Sequence, residues 1–274
     1  EWMNDGLQRM TGYSFEEIKI VFGEMIYQIS SHPGIKEILK TVSKTKQSTQ
    51  YDSMHLTKDG REQWVTGTVT PVFENGNLKK IVIIYSDITE RKKFEQEINQ
   101  KNKDITESIL YAKQIQEAVL PQREKLFKIK PESFILYLPK DIVSGDFYWF
   151  SKKDNILFLA AADCTGHGVP GALMSMIGNE FLYQITYQMN ILEPHLVLEE
   201  LDKRIKQSLR QVGGEKETKD GMDIAFCSIN LENNIMKYSG AYRPVILIRS
   251  NGDFIEFEPE KVTIGGFMKL EKNF

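Results

Sequence analysis

The stretch AADCTGHGVPGALMS, residues 161–175, decides how the second half of the chain folds. It starts inside an apolar run, ILFLAAA at 156–162, which predicts a buried strand. One acid, Asp163, follows this run, and three glycines come within the next eight residues. Glycine tolerates positive φ and lets other groups approach the backbone closely. The apolar pattern after Pro170 predicts a helix, so a carboxylate stands between a strand and a helix start.

Length and composition indicate a globular protein. The 274 residues suffice for one large domain or two ordinary domains of ~100–200 residues. Hydrophobic residues make up 41% and charged residues 27%, which is typical of a chain with a core. A net charge of -3 gives no basic excess for nucleic acid, and the longest apolar run is too short for a membrane span. Cys164 and Cys227 form no zinc or disulfide pattern, which favours a cytoplasmic location.

Residues 1–89 predict a small α/β module. Ser14 and Glu17 have the spacing of a capping box at a helix start. The alternating stretch 61–73 and the stretch 78–89 predict two strands, and Asn75-Gly76 between them is a strong hairpin-turn signal. Aromatic residues in these strands are interpreted as sheet packing, not as cofactor contacts.

Residues 90–120 contain neither glycine nor proline and predict one long amphipathic helix. Apolar residues recur at heptad-like positions, and two polar residues, Lys101 and Ser108, interrupt them. The apolar positions are Phe94, Ile98, Ile105, Ala112, Ile115 and Val119. Two interpretations stay open: a parallel dimer seam, which we favour, and a single helix lying on a domain surface.

Residues 121–274 predict an α+β domain, because strands come first, then helices, then more strands. The two helices follow Pro170 and Pro194. The predicted strands are 134–139, 146–151, 156–162, 223–231, 235–239, 244–249 and 253–257.

Two acids, Asp146 and Asp163, stand at the ends of neighbouring predicted strands. A hairpin with its turn at residues 153–155 would bring both carboxylates to one end of the sheet. Paired carboxylates repel each other unless a cation neutralises them, and oxygen ligands without paired His or Cys favour Mg²⁺ or Mn²⁺. In the alternative interpretation, Asp163 caps the helix near Pro170 and the Gly166–Gly168 segment is only a tight loop.

The first segment resembles the C-terminal part of a PAS sensor domain. The residues that carry the resemblance are MTGYSFEEI at 10–18, the strand pair around Asn75-Gly76, and the ending SDITERKKFE at 86–95. The resemblance implies a sensor, N-terminally incomplete here, that continues into a signalling helix. No PAS cofactor is identifiable, since no Cys or His is placed to hold flavin or haem.

The third segment resembles the metal-dependent protein phosphatase (PPM) superfamily in its branch typified by stage II sporulation protein E. The matching stretches are AKQIQEAVLP at 112–121, VSGDFYWF at 143–150, and ADCTGHGVPGALMS at 162–175. KDGMDIAFCSIN at 219–230 and YSGAYRPVILIR at 238–249 follow in the expected order. The resemblance implies an α-β-β-α sandwich. We interpret the chain as a fragment that lacks the C-terminal portion of this sandwich, with its last acidic ligands.

The resemblance also implies a site. Two Mn²⁺ or Mg²⁺ ions would be bridged by Asp163, with Asp146 as a second acidic ligand and Cys164 contributing its backbone carbonyl. Gly166, His167 and Gly168 would form a phosphate loop, and Asp220 and Asp223 are further candidate site residues. A water activated by the ions would attack a phosphoserine or phosphothreonine.

These expectations define three segments: a PAS-like domain at 1–89, a signalling helix at 90–120 that forms a homodimer, and a phosphatase domain at 121–274. The family resemblance implies a phosphorylated regulatory protein as substrate, of the kind represented by anti-sigma-factor antagonists. The competing hypothesis is a non-catalytic dimeric scaffold with a degenerate phosphatase domain. Neither a helix-turn-helix nor a basic stripe supports binding to nucleic acid.

Overall fold

The structure is a computed structural model that describes residues 2–23, 30–211, 219–266 and 274. The chain divides into two units, Glu1–Lys103 and Asp104–Phe274. One continuous helix, Thr89–Val119, spans the division between them.

In its described residues, the first unit contains three short helices followed by an antiparallel sheet in the order β1-β2-β3. The capping box at Ser14 and Glu17 is present with both of its hydrogen bonds, as the sequence predicts. The helices are α1 (Asp5–Thr11), α2 (Phe15–Phe22) and α3 (Ile35–Thr45), and the strands are β1 (Thr49–Leu56), β2 (Glu62–Glu74) and β3 (Asn77–Asp87).

The hairpin of β2 and β3 turns at Asn75 and Gly76, whose φ angles are 52° and 82°. Positive φ at two successive residues suits the right-handed twist of paired strands, so the Asn-Gly prediction is confirmed. Val65 and Val69 on the inward face of β2 are buried, and α3 packs against this face through Ile35 and Val42. This core is small and belongs to the first unit.

The long helix α4 (Thr89–Val119) has 31 residues and a mostly exposed surface. Its predicted seam residues are solvent-accessible, with Phe94 61% and Ile98 58% exposed. Gln116 is its single buried residue. In the described residues, no helix combines the length and the apolar character needed to cross a membrane.

The second unit is built on a five-stranded antiparallel sheet. Its central strand β6 pairs with β5 on one side and with β7 and β10 on the other, while β4 pairs with the free edge of β5. The helices are α5 (Arg123–Ile129), α6 (Gly168–Tyr183) and α7 (Pro194–Ser208), and the strands are β4 (Phe147–Lys153), β5 (Ile156–Cys164), β6 (Gly221–Asn230), β7 (Ile235–Ala241), β8 (Val245–Ile248), β9 (Phe254–Phe257) and β10 (Ile264–Gly265).

Helices α6 and α7 cover one face of this sheet. The hydrophobic core between these helices and the sheet contains Phe158 and Phe226. Both are fully buried, and their ring centroids are 6.0 Å apart. On the other face Leu126 of α5 packs against Phe150 and Leu157. The predicted α+β class is therefore confirmed. Among the described residues of this unit, the pair β8-β9 is the only sheet besides the five-stranded one.

The predicted strand at 134–139 is wrong. In the described part of the chain, this segment is not a strand and pairs with no other segment. Phe134, Leu136 and Leu138 are 84%, 77% and 82% exposed. Their alternation is that of a strand, but strand formation also requires ladder hydrogen bonds to a neighbour, and the pattern of one segment does not supply that neighbour.

Truncation of the buried ring of Phe158 tests the position of this core. We expect Phe158→Ala to lower the free energy of unfolding by about 3–5 kcal/mol, because the cavity cannot be filled by neighbours. Phe254→Ala is the matched control: that ring is 60% exposed, and its loss should cost within about 0.5 kcal/mol. Urea denaturation followed by circular dichroism gives both values. Equal losses in the two variants would contradict the described core.

Candidate active site at the ends of strands β4 to β6

The hairpin of β4 and β5 brings Asp146 and Asp163 together. Phe147 pairs with Ala162 in the register, so Asp146, which directly precedes β4, falls beside Asp163. The two carboxyl groups are therefore close enough to affect each other's ionisation. Partial burial, and then the adjacent Asp163, raise the pKa of the Asp146 carboxyl. A raised pKa is the expected response of two acids held side by side.

Strand β6, which pairs with β5, carries another acid at the same end of the sheet. Asp223 of β6 lies directly opposite Asp163 in the antiparallel register, so their side chains project from the same face. Asp220 lies before β6, with a carboxylate oxygen 3.4 Å from the Thr165 hydroxyl. The structure thus places Asp223 opposite Asp163 in the sheet and Asp220 beside the following loop.

The loop after β5 packs tightly against the residue before Asp146. A methyl group on Gly145 would lie 2.8 Å from the carbonyl oxygen of Gly166 and 3.3 Å from that of Cys164. Only glycine fits at position 145 without displacing this loop. Two backbone oxygens therefore lie close to the chain that carries Asp146.

Helix α6 begins at Gly168, directly after this loop. Its N-cap is His167, and no side chain caps the helix. The alternative interpretation, in which Asp163 caps this helix, is therefore wrong. Gly166 and Gly168 have φ angles of 82° and 63°, which explains the glycines at these two positions.

His167 is exposed at the mouth of this loop. Its Nδ1 atom lies 3.0 Å from Oδ2 of Asp141, in the segment that leads to Gly145. The contact ties the loop to the chain before Asp146 and leaves the Nε2 edge of the imidazole free to face solvent. We therefore keep His167 as a candidate loop residue without assigning it a chemical step.

Arg243 is a site residue that sequence reasoning missed. It follows β7 and forms an ion pair with Asp163, and its positive charge lowers the pKa of Asp146 against the effects of burial and Asp163. The two residues are 80 positions apart. The signal available in the sequence was an arginine in YSGAYRP, directly after a strand predicted to lie in the same sheet.

Cys164 contributes no reactive thiol. The side chain is buried. Burial, followed by the negative charges of Asp163 and Asp146, raises the pKa of its thiol far above the usual range. A protonated thiol is a poor nucleophile and a poor metal ligand, so only the backbone carbonyl of Cys164 is a candidate ligand.

The donor atoms at this place suit a hard divalent cation. Two adjoining carboxyl groups and nearby carbonyl oxygens form an oxygen-rich set of the kind that Mg²⁺ and Mn²⁺ prefer. A cation there would also relieve the repulsion between Asp146 and Asp163. Within the described ranges, no group of three or more His, Cys, Asp or Glu side chains is arranged to hold a metal. Asp146 and Asp163 therefore suit such an ion as part of its ligand set.

Buried Gln116 links helix α4 to the Asp146 segment. Its amide nitrogen donates to the carbonyl oxygen of Ser144 and to the Ser175 hydroxyl of α6, both at 2.7 Å. Its amide oxygen accepts from the Ser144 N–H at 3.2 Å. One side chain therefore satisfies both backbone groups of Ser144, two residues before Asp146.

A second polar cluster lies on the inner face of the first unit's sheet. The Tyr51 and Tyr85 hydroxyls are 2.9 Å apart, and Ser53 Oγ lies 2.9 Å from Nε2 of His55. Burial raises the pKa of the Tyr85 hydroxyl strongly, so this group is neutral. The sequence did not predict that His55 faces the interior, and no cofactor is assigned to it.

Both units contain a stretch that is similar to a known protein family. Residues 1–90 match the PAS domain model, and residues 153–271 match the model of stage II sporulation protein E (SpoIIE). The SiaA-PP2C domain of Pseudomonas aeruginosa is 28% identical, with a TM-score of 0.51, and the match covers 60% of this chain and 64% of that chain. The chain thus spans less than two thirds of that relative's length.

Two other solved structures match less closely. The RsbU and RsbW domains of Rv1364c from Mycobacterium tuberculosis are 20% identical, with a TM-score of 0.36 over 47% of this chain and 33% of that chain. A sensory box histidine kinase/response regulator from Burkholderia thailandensis is 17% identical, with a TM-score of 0.31 over 39% of this chain and 81% of that chain. No curated protein matches the chain significantly.

The two matches place a PAS-type domain before a phosphatase-type domain in this chain. Residues 1–90 are similar to a PAS domain, and residues 153–271 are similar to the SpoIIE domain of the PPM phosphatases. The predicted PAS–PPM architecture is thereby confirmed.

Replacement of Gln116 tests its contacts with Ser144. We expect Gln116→Leu to lower the free energy of unfolding by on the order of 2 kcal/mol, because a buried N–H and a buried carbonyl lose their partner. Gln114→Leu, on the exposed surface of the same helix, is the control and should change little. Chemical denaturation measures both. If the two variants are equally stable, the Ser144 contacts do not contribute as described.

Proposed function

We propose that the chain is a signal-regulated protein serine/threonine phosphatase, which hydrolyses a phosphoserine or phosphothreonine of a partner regulatory protein. The observation that carries the proposal is the adjoining carboxyl pair of Asp146 and Asp163 at the strand ends. The proposed segments are residues 1–89 for sensing, 90–120 for transmission and 121–274 for catalysis. An anti-sigma-factor antagonist is the kind of substrate that the family resemblance suggests.

Each site residue has a distinct part in this proposal. Asp146, Asp163 and the Cys164 carbonyl would hold Mn²⁺ or Mg²⁺, which when bound lowers the pKa of a water and neutralises charge on the phosphoryl group. The β4-β5 register fixes the two carboxylates relative to each other, so little reorganisation is needed. The glycine loop leaves space for an incoming phosphoryl group next to them.

The regulatory part of the proposal rests on Gln116. This residue fixes Ser144 from the end of the helix that leaves the PAS domain. A change in the position of the helix end would therefore change the position of the backbone that carries Asp146. Whether the signal raises or lowers activity depends on which position is favoured.

A non-catalytic scaffold is the second candidate. The observation that favours it is that the described residues supply no cluster of three metal-binding side chains. Such a scaffold would bind phosphoprotein through the same face without turnover, and the measurement described next separates the two functions.

Replacement of the central carboxylate tests the phosphatase proposal. We expect Asp163→Asn to lower Mn²⁺-dependent hydrolysis of a phosphoserine peptide by about 100-fold or more, since even residues that only support metal ligands cost 10–100-fold. Asp154→Asn is the matched control: it lies at the turn of the same hairpin with a φ of 51°, a conformation that asparagine tolerates. Its activity should be unchanged.

The assay has two contrary outcomes. Turnover that is equal in Asp163→Asn and the parent chain would contradict the site. Peptide binding without Mn²⁺-dependent turnover in the parent chain would support the scaffold.

Homodimerisation through α4 is a further part of the proposal. The heptad positions Phe94, Ile98 and Ile105 are 61%, 58% and 58% exposed in the single chain. Packing against the same face of a second helix would bury them, as in a parallel coiled coil. The dimer and the cytoplasmic location remain predictions.

A charge on this face tests the dimer. We expect Ile98→Lys to shift the chain from dimer to monomer in sedimentation velocity, because paired lysines at the seam repel each other. Gln96→Lys adds the same charge two residues away, off the seam, and should leave the dimer intact. A parent chain that sediments as a monomer at high concentration would contradict the seam.

A further inference from the structure

Arg243 contacts the candidate pair through Asp163, and the proposed function does not yet use it. Arg243 follows β7, and β6 lies between β7 and the strand that carries Asp163. The side chain of Arg243 therefore has to cross β6, which carries Asp223. Neutralising one carboxylate is a sufficient structural reason for an ion pair. The backbone contacts and the side-chain exposure of Arg243 indicate a further role.

The backbone of Arg243 is anchored from several directions. Its carbonyl oxygen accepts a hydrogen bond from the Tyr238 hydroxyl at 2.5 Å, and its N–H donates to the Ala241 carbonyl at 2.8 Å. The preceding residue, Tyr242, has a φ of 54° and donates to the Glu260 carbonyl. A side chain at Gly240 would collide with the Tyr238 hydroxyl and the Arg243 carbonyl, so glycine is required there.

The side chain of Arg243 is much less constrained than its backbone. It is 45% exposed, and its partner Asp163 is 48% exposed. An exposed ion pair is worth about 0–1 kcal/mol, so the guanidinium can leave Asp163 at little cost. A cation at Asp163 would compete with the guanidinium for the same carboxylate oxygens. An anchored backbone and an exposed, weakly held guanidinium are the properties of a residue that binds a mobile anion.

We propose that Arg243 binds the phosphoryl group of the substrate, and of the orthophosphate product, at the face of the sheet that carries Asp146 and Asp163. The planar guanidinium can donate two parallel hydrogen bonds to phosphoryl oxygens, a geometry that ammonium cannot reproduce. The contact is non-covalent. The proposal rests on the phosphatase function but assigns a separate residue, so the two can fail independently.

The test measures phosphate binding directly. Isothermal titration calorimetry with inorganic phosphate, in the presence of Mn²⁺, compares the parent chain with Arg243→Gln and Arg243→Lys. We expect Arg243→Gln to weaken phosphate binding by about 10-fold or more, as for the loss of a hydrogen bond to a charged group. Arg243→Lys should fall between the two because it keeps the charge without the fork. Arg249→Gln removes the same charge at the end of strand β8 and should bind like the parent.

The purely structural alternative makes a different prediction. If Arg243 only neutralises Asp163, Arg243→Gln changes Mn²⁺ affinity or thermal stability but not the affinity for phosphate, and the assignment is overturned. A parent chain that binds no phosphate also overturns it. Circular dichroism melts of all variants establish that any loss of binding occurs in folded protein.

Kinetics with a phosphoserine peptide separate this inference from the proposed function. A rise in KM with a smaller change in kcat supports binding by Arg243. If turnover depends on Asp163 while Arg243→Gln leaves KM and phosphate affinity unchanged, the Arg243 assignment fails and the phosphatase function stands. If the parent shows no turnover but phosphate binding is lost in Arg243→Gln, the assignment stands and the phosphatase function fails.

Discussion

Repulsion between two carboxylates is the constraint around which the second unit is organised. Asp146 and Asp163 are held side by side by the register of β4 and β5, so neither can move away without breaking the hairpin. Two features reduce this repulsion. The pKa of Asp146 is raised, and Arg243, which follows β7, forms an ion pair with Asp163. The carboxylates therefore attract positive charge to one end of the sheet. A site for cations and phosphoryl groups requires this property.

Close packing of backbone against backbone supports this arrangement. Gly145 and Gly171 both lie against the Gly166 carbonyl, at distances that leave no space for a Cβ atom. The start of α6, the loop after β5 and the residue before Asp146 therefore form one packed unit. Gln116 adds the end of α4 to it through both backbone groups of Ser144.

Sequence patterns predicted the parts of the site that depend on neighbours in the chain. Asp146 and Asp163 flank a hairpin, and a hairpin brings its ends together whatever its surroundings. The strand prediction at 134–139 failed because a strand also needs a partner, and periodicity within one segment carries no information about it. Arg243 was missed for the same reason: its contact with Asp163 depends on the order of strands in the sheet.

Gln116 shows a further limit of pattern reading. The heptad frame of the helix drew attention to the apolar seam, whereas the residue that is buried is polar and stands outside that frame. Burial of a polar side chain is set by the groups that meet it, here Ser144 and Ser175, which are 28 and 59 residues away. In the PAS domain, the inward position of His55 likewise became visible only once the register of β1 was known.

The contacts of Gln116 limit how far helix α4 can shift before its hydrogen bonds to Ser144 break. Hydrogen bonds weaken steeply once donor and acceptor move apart by more than a few tenths of an ångström beyond their normal distance. A shift of α4 by one residue moves its surface by ~1.5 Å along the axis and ~100° around it. A displacement of that size would take Gln116 out of reach of Ser144 altogether. After a one-residue shift, the hydrogen bonds between Gln116 and Ser144 would therefore be lost altogether, not merely weakened.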